Sequence, residues 1–253
     1  MINFGVGKLI AVPTNNSAGA AVANPTPVVL GTMQDIAVDM SVEIKELHGS
    51  RRYPIAIGQG KGKIEIKAKY VDIDVGVLGS LFLGKTAATG FKGMVEDLVA
   101  AIPTTPFQVT PAVPNSGTFV ADLGVFFVAT GEQLTRVAAT PAANQYSVNT
   151  TTGVYTFNTA DSTKNVAISF EYTATSVTAA RNFDLTNDLM GQTPSFSVLL
   201  QNKYDGKTLV MKFNRAVSGK LSVPLRNDDF AMYDFEAQCF ADAAGNLGYV
   251  CLG

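Results

Sequence analysis

Gly58 to Lys63 reads GQGKGK, with three glycines and two lysines in six residues, a composition suited to cradling a phosphate. A nucleotide P-loop, however, needs Ser or Thr after its Gly-Lys pair, because that hydroxyl reaches the magnesium ion. Here the two Gly-Lys pairs are followed by Gly62 and Ile64. A dinucleotide fingerprint needs G-x-G-x-x-G at the start of a helix, whereas this spacing is G-x-G-x-G and the next residues, KIEIKAKY, alternate like a strand. His48 is the only histidine, so any Ser-His-Asp arrangement must use it. Its neighbour Ser50 sits in a glycine turn, and the reading favoured is a solvated or interface histidine. Asp72 and Asp74 lack the alternating oxygen ligands and closing Glu of a calcium loop and read as helix caps. Arg51-Arg52 reads as a solvated or intersubunit ion-pairing site at a loop tip. Asp188 and Asp228-Asp229 fall in loop-like stretches and read as solvated. Cys239 and Cys251 have no zinc-ligand spacing. Cys239 lies in register with Tyr233, Phe235 and Ala237 and is expected to be a buried free thiol, reduced in the absence of an export signal. The expectation is no catalytic residue, no metal and no cofactor.

The elements around the glycines are more informative than the glycines themselves. Ile64, Ile66, Ala68 and Tyr70 alternate with Lys63, Glu65, Lys67 and Lys69, the period-2 pattern of a half-buried strand. Upstream, Ile36, Val38, Met40, Val42 and Ile44 interleave with Ala37, Asp39, Ser41, Glu43 and Lys45. The stretch between them, ELHGSRRYPIAIGQGKGK, exceeds the usual two-to-five-residue hairpin loop. It reads as a hairpin whose arms project beyond the sheet, with the glycines as a hinge or bulge. A projecting apolar arm implies a partner.

Composition points the same way. Charged residues make up 16% of the 253-residue chain and apolar residues 47%, against roughly 25% charged in soluble domains, so surface is expected to be buried against copies or partners. The net charge of -2 provides no basic field for nucleic-acid binding. No run approaches the ~20 apolar residues of a membrane helix, and the N-terminal residues carry no basic region ahead of an apolar run, so neither a membrane association nor a secretory signal is expected.

Along the chain, residues 1–32 are rich in Ala, Asn, Pro and Thr and read as an N-terminal arm. The strand pair follows, and then VDIDVGVLGSLFLG, where Val75, Leu78, Leu81 and Phe82 recur at helical spacing despite Gly76 and Gly79. GMVEDLVAAIP fits either a helical turn or a strand. From Pro103 to about Thr178, six short Val/Phe/Tyr/Thr-rich runs between turn residues imply an inserted β meander at 104–178. Longer strands then resume, with Asp205-Gly206 suited to a type I′ hairpin. The main domain is accordingly assigned to 33–103 and 179–253. The fold class expected is all-β with one short helix.

Three stretches, GVGKLIAV, VDMSVEIKELHGSRRYPIAIGQGKGKIEIKAKYVDID and FAMYDFEAQCFADAAGNL, resemble the tail tube (major tail) proteins of tailed bacteriophages. The run FVADLGVFFVATGEQLTRVAATPAANQYSVNTTTGVYTFNTADS is similar to segments carried by a subset of them. The resemblance implies a β-barrel or sandwich tail-tube fold and a structural virion protein that catalyses no reaction. It implies subunits assembled into stacked hexameric rings, forming a conduit through which viral DNA passes without specific binding. A long hairpin would bridge subunits. The expected partners are other copies of the chain, together with tape-measure, tail terminator and baseplate or tail-tip proteins. The expected location is the virion tail, and the host cytoplasm during assembly.

On this reading the intersubunit arm comprises His48, Arg51, Arg52, Tyr53, Ile55, Ile57, Gly58, Gly60 and Gly62. The candidate lumen face comprises Asp39, Ser41, Glu43, Lys45, Lys63, Glu65 and Lys67. Such a channel is expected to be acidic, yet here acids and lysines roughly cancel, so either they pair or part of this face is not luminal. A secreted or surface carbohydrate-binding or adhesin sandwich is the alternative. It is disfavoured by the missing signal and the absence of tryptophan.

Overall fold

The computed structural model describes residues 5–72, 76–191, 193–225, 227 and 230–253. These residues are all-β with, among them, a single π-type helix and two short 3-10 turns. In chain order the strands are β1 (Lys8–Asn15), β2 (Val28–Val29), β3 (Met33–His48) and β4 (Pro54–Tyr70), followed by the helix Val77–Leu83. Next come β5 (Ala88–Thr89), β6 (Phe91–Ala101), β7 (Gln108–Val109), β8 (Thr118–Phe127), β9 (Thr135–Arg136), β10 (Gln145–Val148), β11 (Tyr155–Phe157), β12 (Asn165–Ala174) and β13 (Arg181–Asn182). The chain closes with β14 (Ser195–Tyr204), β15 (Lys207–Ser222), β16 (Tyr233–Phe240) and β17 (Gly248–Leu252).

Two compact units result, Met1–Ala87 with Phe183–Gly253, and Ala88–Asn182. The first is one sheet in the order β2-β1-β14-β15-β16-β4-β3, with β17 added to β15. β2 and β3 end it, so the sheet is open and no closed barrel forms among the described residues. Alternation places Leu9, Ile66, Tyr70, Phe196, Val198, Phe213 and Phe235 on one face, where they bury together with Val77 and Leu81 of the helix. Burying a side chain of this size contributes roughly 1.5–3 kcal/mol. The N-terminal stretch is therefore not an arm. β1 pairs with β14 from Lys8 to Asn15, and Leu9 and Ala11 are core residues, because the short apolar run at 9–12 alternates in step with the sheet.

Among the described residues the helix spans Val77–Leu83. Val75 and Asp74 lie outside the described residues. The N-cap is Gly76, not Asp72, and the Asp72 carboxylate instead accepts from Thr32 Oγ1 at 3.4 Å. The glycines that argue against a helix have packing reasons. A Cβ on Gly79 would lie 2.0 Å from the Phe183 ring, and Gly84 closes the helix at φ 63° with its N–H bonded to Gly79 O, the left-handed C-terminal stop that favours glycine.

The second unit is a sandwich. Sheet β6-β12-β8 and sheet β7-β11-β10-β9 share one core that includes Phe119, Val125, Tyr146, Tyr155, Ile168 and Phe170. All six strand segments expected between 103 and 178 form, but as two sheets rather than a meander, and β9 runs parallel to β10. The unit is also larger than the 104–178 expected. The ambiguous GMVEDLVAAIP stretch belongs to β6, which pairs with β12 from Ala101 to Phe91 and packs Val95, Leu98 and Ala100 against this core.

A carboxylate is held inside the sandwich. Asp122 accepts from Tyr146 Oη at 2.7 Å and Tyr155 Oη at 3.0 Å and from the Gly124 N–H at 3.1 Å, with Arg136 Nη1 at 3.7 Å. Three donors and a nearby cation meet the cost of burying a charge. Burial first, and the adjoining carboxylate second, push both phenols up in pKa, so they stay protonated and donate.

Candidate functional site

β3 and β4 form a hairpin closed by residues 49–53, and only part of it belongs to the sheet. β4 pairs with β16 from Tyr70 to Ile64. From Lys63 to Pro54 it pairs with β3 alone. The remainder is a two-stranded ribbon carried past the sheet, as the alternation of the two long strands implies. The glycines are not a hinge outside the ladder. Gly58 and Gly62 pair with Lys45 and Val42, and the register shifts once between Val42 and Ile44, which places a bulge at Gly60 and Lys61.

The ribbon's two faces differ sharply. Met40, Val42, Ile44 and Ile57 continue the row that begins with the partly buried Ile36, Val38 and Ile64, yet they are 52%, 50%, 65% and 66% exposed. Tyr53, Ile55 and Leu47 are exposed at the tip. Soluble monomers rarely leave such a contiguous apolar surface uncovered. His48 ends β3 and contacts Glu46 Oε2 at 3.1 Å. Arg51 and Arg52 lie exposed in the turn.

Glu46, opposite Ile57, is the exception on this apolar side; the opposite face carries most of the charges and answers the pairing question raised by the sequence. Asp39 and Glu65 are directly opposite across the strands, an unfavourable like-charge pair. Lys67 Nζ resolves it, lying 3.0 Å from Asp39 Oδ2 and 3.9 Å from Glu65 Oε2, while Lys63 Nζ lies 2.6 Å from Glu65 Oε1. The hydrogen bond from Lys63 lowers the Glu65 pKa, and the Asp39 carboxylate raises that of Lys67. The pattern continues into the sheet, where Lys67 stands opposite Glu236 and Lys220 Nζ lies 3.2 Å from Glu236 Oε1. Ser41 and Lys63 form the next cross-strand pair outward, beyond which β3 carries Glu43 and Lys45. The face is a charge mosaic without a dominant sign.

Of the predicted site residues, the β3–β4 hairpin brings together the arm set at its projecting end and the polar set on one face, with Asp39, Glu65 and Lys67 in the part that belongs to the sheet. Asp228 and Asp229 lie outside the described residues. Asp188 Oδ1 accepts from Thr186 Oγ1 at 2.7 Å, and its Oδ2 lies 4.0 Å from Lys85 Nζ. Cys239 is a half-buried free thiol whose pKa burial pushes up to about 11. Sequence reasoning passed over the run GYVCL, all of whose residues are exposed in β17. Its signal was an uncharged apolar run following a glycine turn. No family model matches the chain, and no curated protein matches it.

Proposed function

We propose that this chain is a self-assembling structural protein of a phage tail tube. Subunits join through the β3–β4 ribbon into stacked hexameric rings around a channel for viral DNA. The observation that carries the reading is the ribbon, with its row of apolar side chains continuous with the core and uncovered. A neighbouring copy supplies the missing cover, and the ribbon loses its exposure on assembly. The sequence resemblance to tail tube proteins supports the same reading. The charge mosaic suits a wall along which DNA moves, since lysines already engaged by carboxylates attract phosphates weakly. In this role the protein needs no cofactor and catalyses no reaction, and it works in the virion tail with tape-measure, terminator and baseplate or tail-tip proteins at the tube's ends.

Negative-stain microscopy of concentrated or seeded protein tests the proposal. Hollow tubes or rings of uniform diameter are expected. A monodisperse monomer under every seeded condition overturns it.

A further inference from the structure

We propose that the outer edge of β17 is the acceptor site for the ribbon of a second copy of this chain, which adds its β4 edge there as an extra strand. The inference rests on the self-assembly reading and goes beyond it by naming the receiving surface.

The hydrogen-bonding phase of β17 sets which groups face outward. Gly253 and Thr208 exchange both backbone hydrogen bonds, at 2.9 and 2.6 Å, and Asn214 N–H donates to Leu247 O at 2.9 Å. Antiparallel ladders alternate bonded and non-bonded pairs. Cys251 and Tyr249, opposite Val210 and Lys212, are therefore the bonded positions, while Leu252, Val250 and Gly248 turn their N–H and C=O groups away from β15. No strand pairs with that side among the described residues.

The vacancy follows from the topology. β16 and β17 lie end to end on the same side of β15. β4 covers β16 as far as Cys239 opposite Ile64 and then departs as the ribbon without pairing to β17. Loop 241–247 interrupts the line, held by Asp242, whose Oδ1 accepts from the Ala244 and Asn246 N–H groups at 3.0 and 2.8 Å. Gly248 returns the chain to β15 so closely that a Cβ would lie 1.8 Å from Lys212 O.

Other edges carry the devices that block strand addition. β2, β7 and β9 are two residues long. β3 bears Asp35, Asp39, Glu43, Lys45 and Glu46. β6 and β8 are interrupted by register shifts against β12. β17 has no charge, no proline and no register shift, and Tyr249, Val250 and Leu252 are 52%, 52% and 66% exposed. The occupant's chemistry matches. Past Pro54, which opens β4 where strands tolerate proline, residues 55–58, IAIG, are uncharged and leave one edge of β4 unpaired, so joining the two brings no like charges together and covers apolar side chains on both.

The test uses Val250→Pro in the full-length protein. Proline there deletes one outward N–H and no bond to β15, a placement that edge strands tolerate. The variant is expected to give a wild-type circular dichroism spectrum and melt, while the concentration needed for assembly rises about tenfold or more. A folded variant that assembles like wild type overturns the β17 assignment and leaves the tube reading standing. Failure of the wild type to assemble removes both.

Should the proline variant unfold, the native Cys251 decides. In a Cys239→Ser background, Ile55→Cys, Ile57→Cys and Gln59→Cys are oxidised one at a time with copper-phenanthroline after assembly. A disulfide between subunits that disappears in Cys251→Ser is the expected result. Assembled material without any such cross-link overturns the proposal.

Discussion

Two long hairpins of the first unit share an alternating apolar pattern and meet opposite fates. In β14–β15, a type I′ turn at Asp205 and Gly206 (φ 50° and 70°) joins strands whose Phe196, Val198 and Phe213 are at most 3% exposed. In β3–β4, the same alternation yields Met40, Ile44 and Ile57 at half exposure or more. The difference lies in neighbours, not propensity. β14 and β15 are flanked by β1, β16 and β17, with the helix over their apolar face, whereas the ribbon has run past all of these. Alternation specifies which face is apolar. It says nothing about which molecule supplies the cover.

Substitutions can break that contrast. Phe196→Ala should cost about 3–5 kcal/mol, read as a large fall in the denaturant midpoint, because the ring is fully buried and packs against Phe235 with centroids 6.0 Å apart. A ribbon change of equal hydrophobic loss should behave differently. Ile55→Asp with Ile57→Asp should alter monomer stability by less than about 0.5 kcal/mol, as for other exposed sites, yet abolish assembly. If this double variant unfolds, the ribbon belongs to its own subunit's core after all.

A smaller effect is expected in the second unit, where cover is internal. Tyr155→Phe removes one of the donors to Asp122 and should cost about 1–3 kcal/mol. Because both phenols have raised pKa values in the folded state, their contribution is complete below the ordinary tyrosine pKa near 10. It is lost as pH rises beyond that, since the unfolded chain ionises first. Alkaline unfolding monitored by tyrosine absorbance should therefore begin above pH ~10 and shift in Tyr155→Phe.

The mildest test compares the two cysteines. Iodoacetamide at neutral pH should label exposed Cys251 first in the monomer and Cys239 only slowly, with Cys239 accelerating as pH approaches about 11. Equal rates would show that β16 opens from its neighbours. Labelling of Cys251 should fall on assembly.

Legibility followed the range of the forces involved. Period-2 patterns located β3, β4 and β16, and runs of Val, Phe, Tyr and Thr between turn residues located all six strands between 103 and 178, since both signals are local. Asp205-Gly206 announced its turn for the same reason. What escaped depended on distant partners. Leu9 and Ala11 became core only because β14, nearly the whole chain away, receives them. GMVEDLVAAIP became a strand only because β12 was there to pair with it. At the candidate site, the polar and apolar faces of the ribbon were readable residue by residue. The bulge at Gly60 and the rescue of Asp39 opposite Glu65 by Lys67 needed the register, which no single strand encodes.

The two-residue pairing of β5 with β13, Arg181 opposite Thr89 and Asn182 opposite Ala88, has a consequence for how this chain can change. The outgoing and returning segments of the second unit are clasped side by side, with paired Cα atoms about 5 Å apart. To the rest of the polypeptide, ninety-odd residues therefore occupy the span of a tight turn. A gene can acquire, lose or exchange such a cassette at this point without altering the path of either flank, and a foreign domain whose termini lie equally close has a ready-made socket between Ala87 and Phe183.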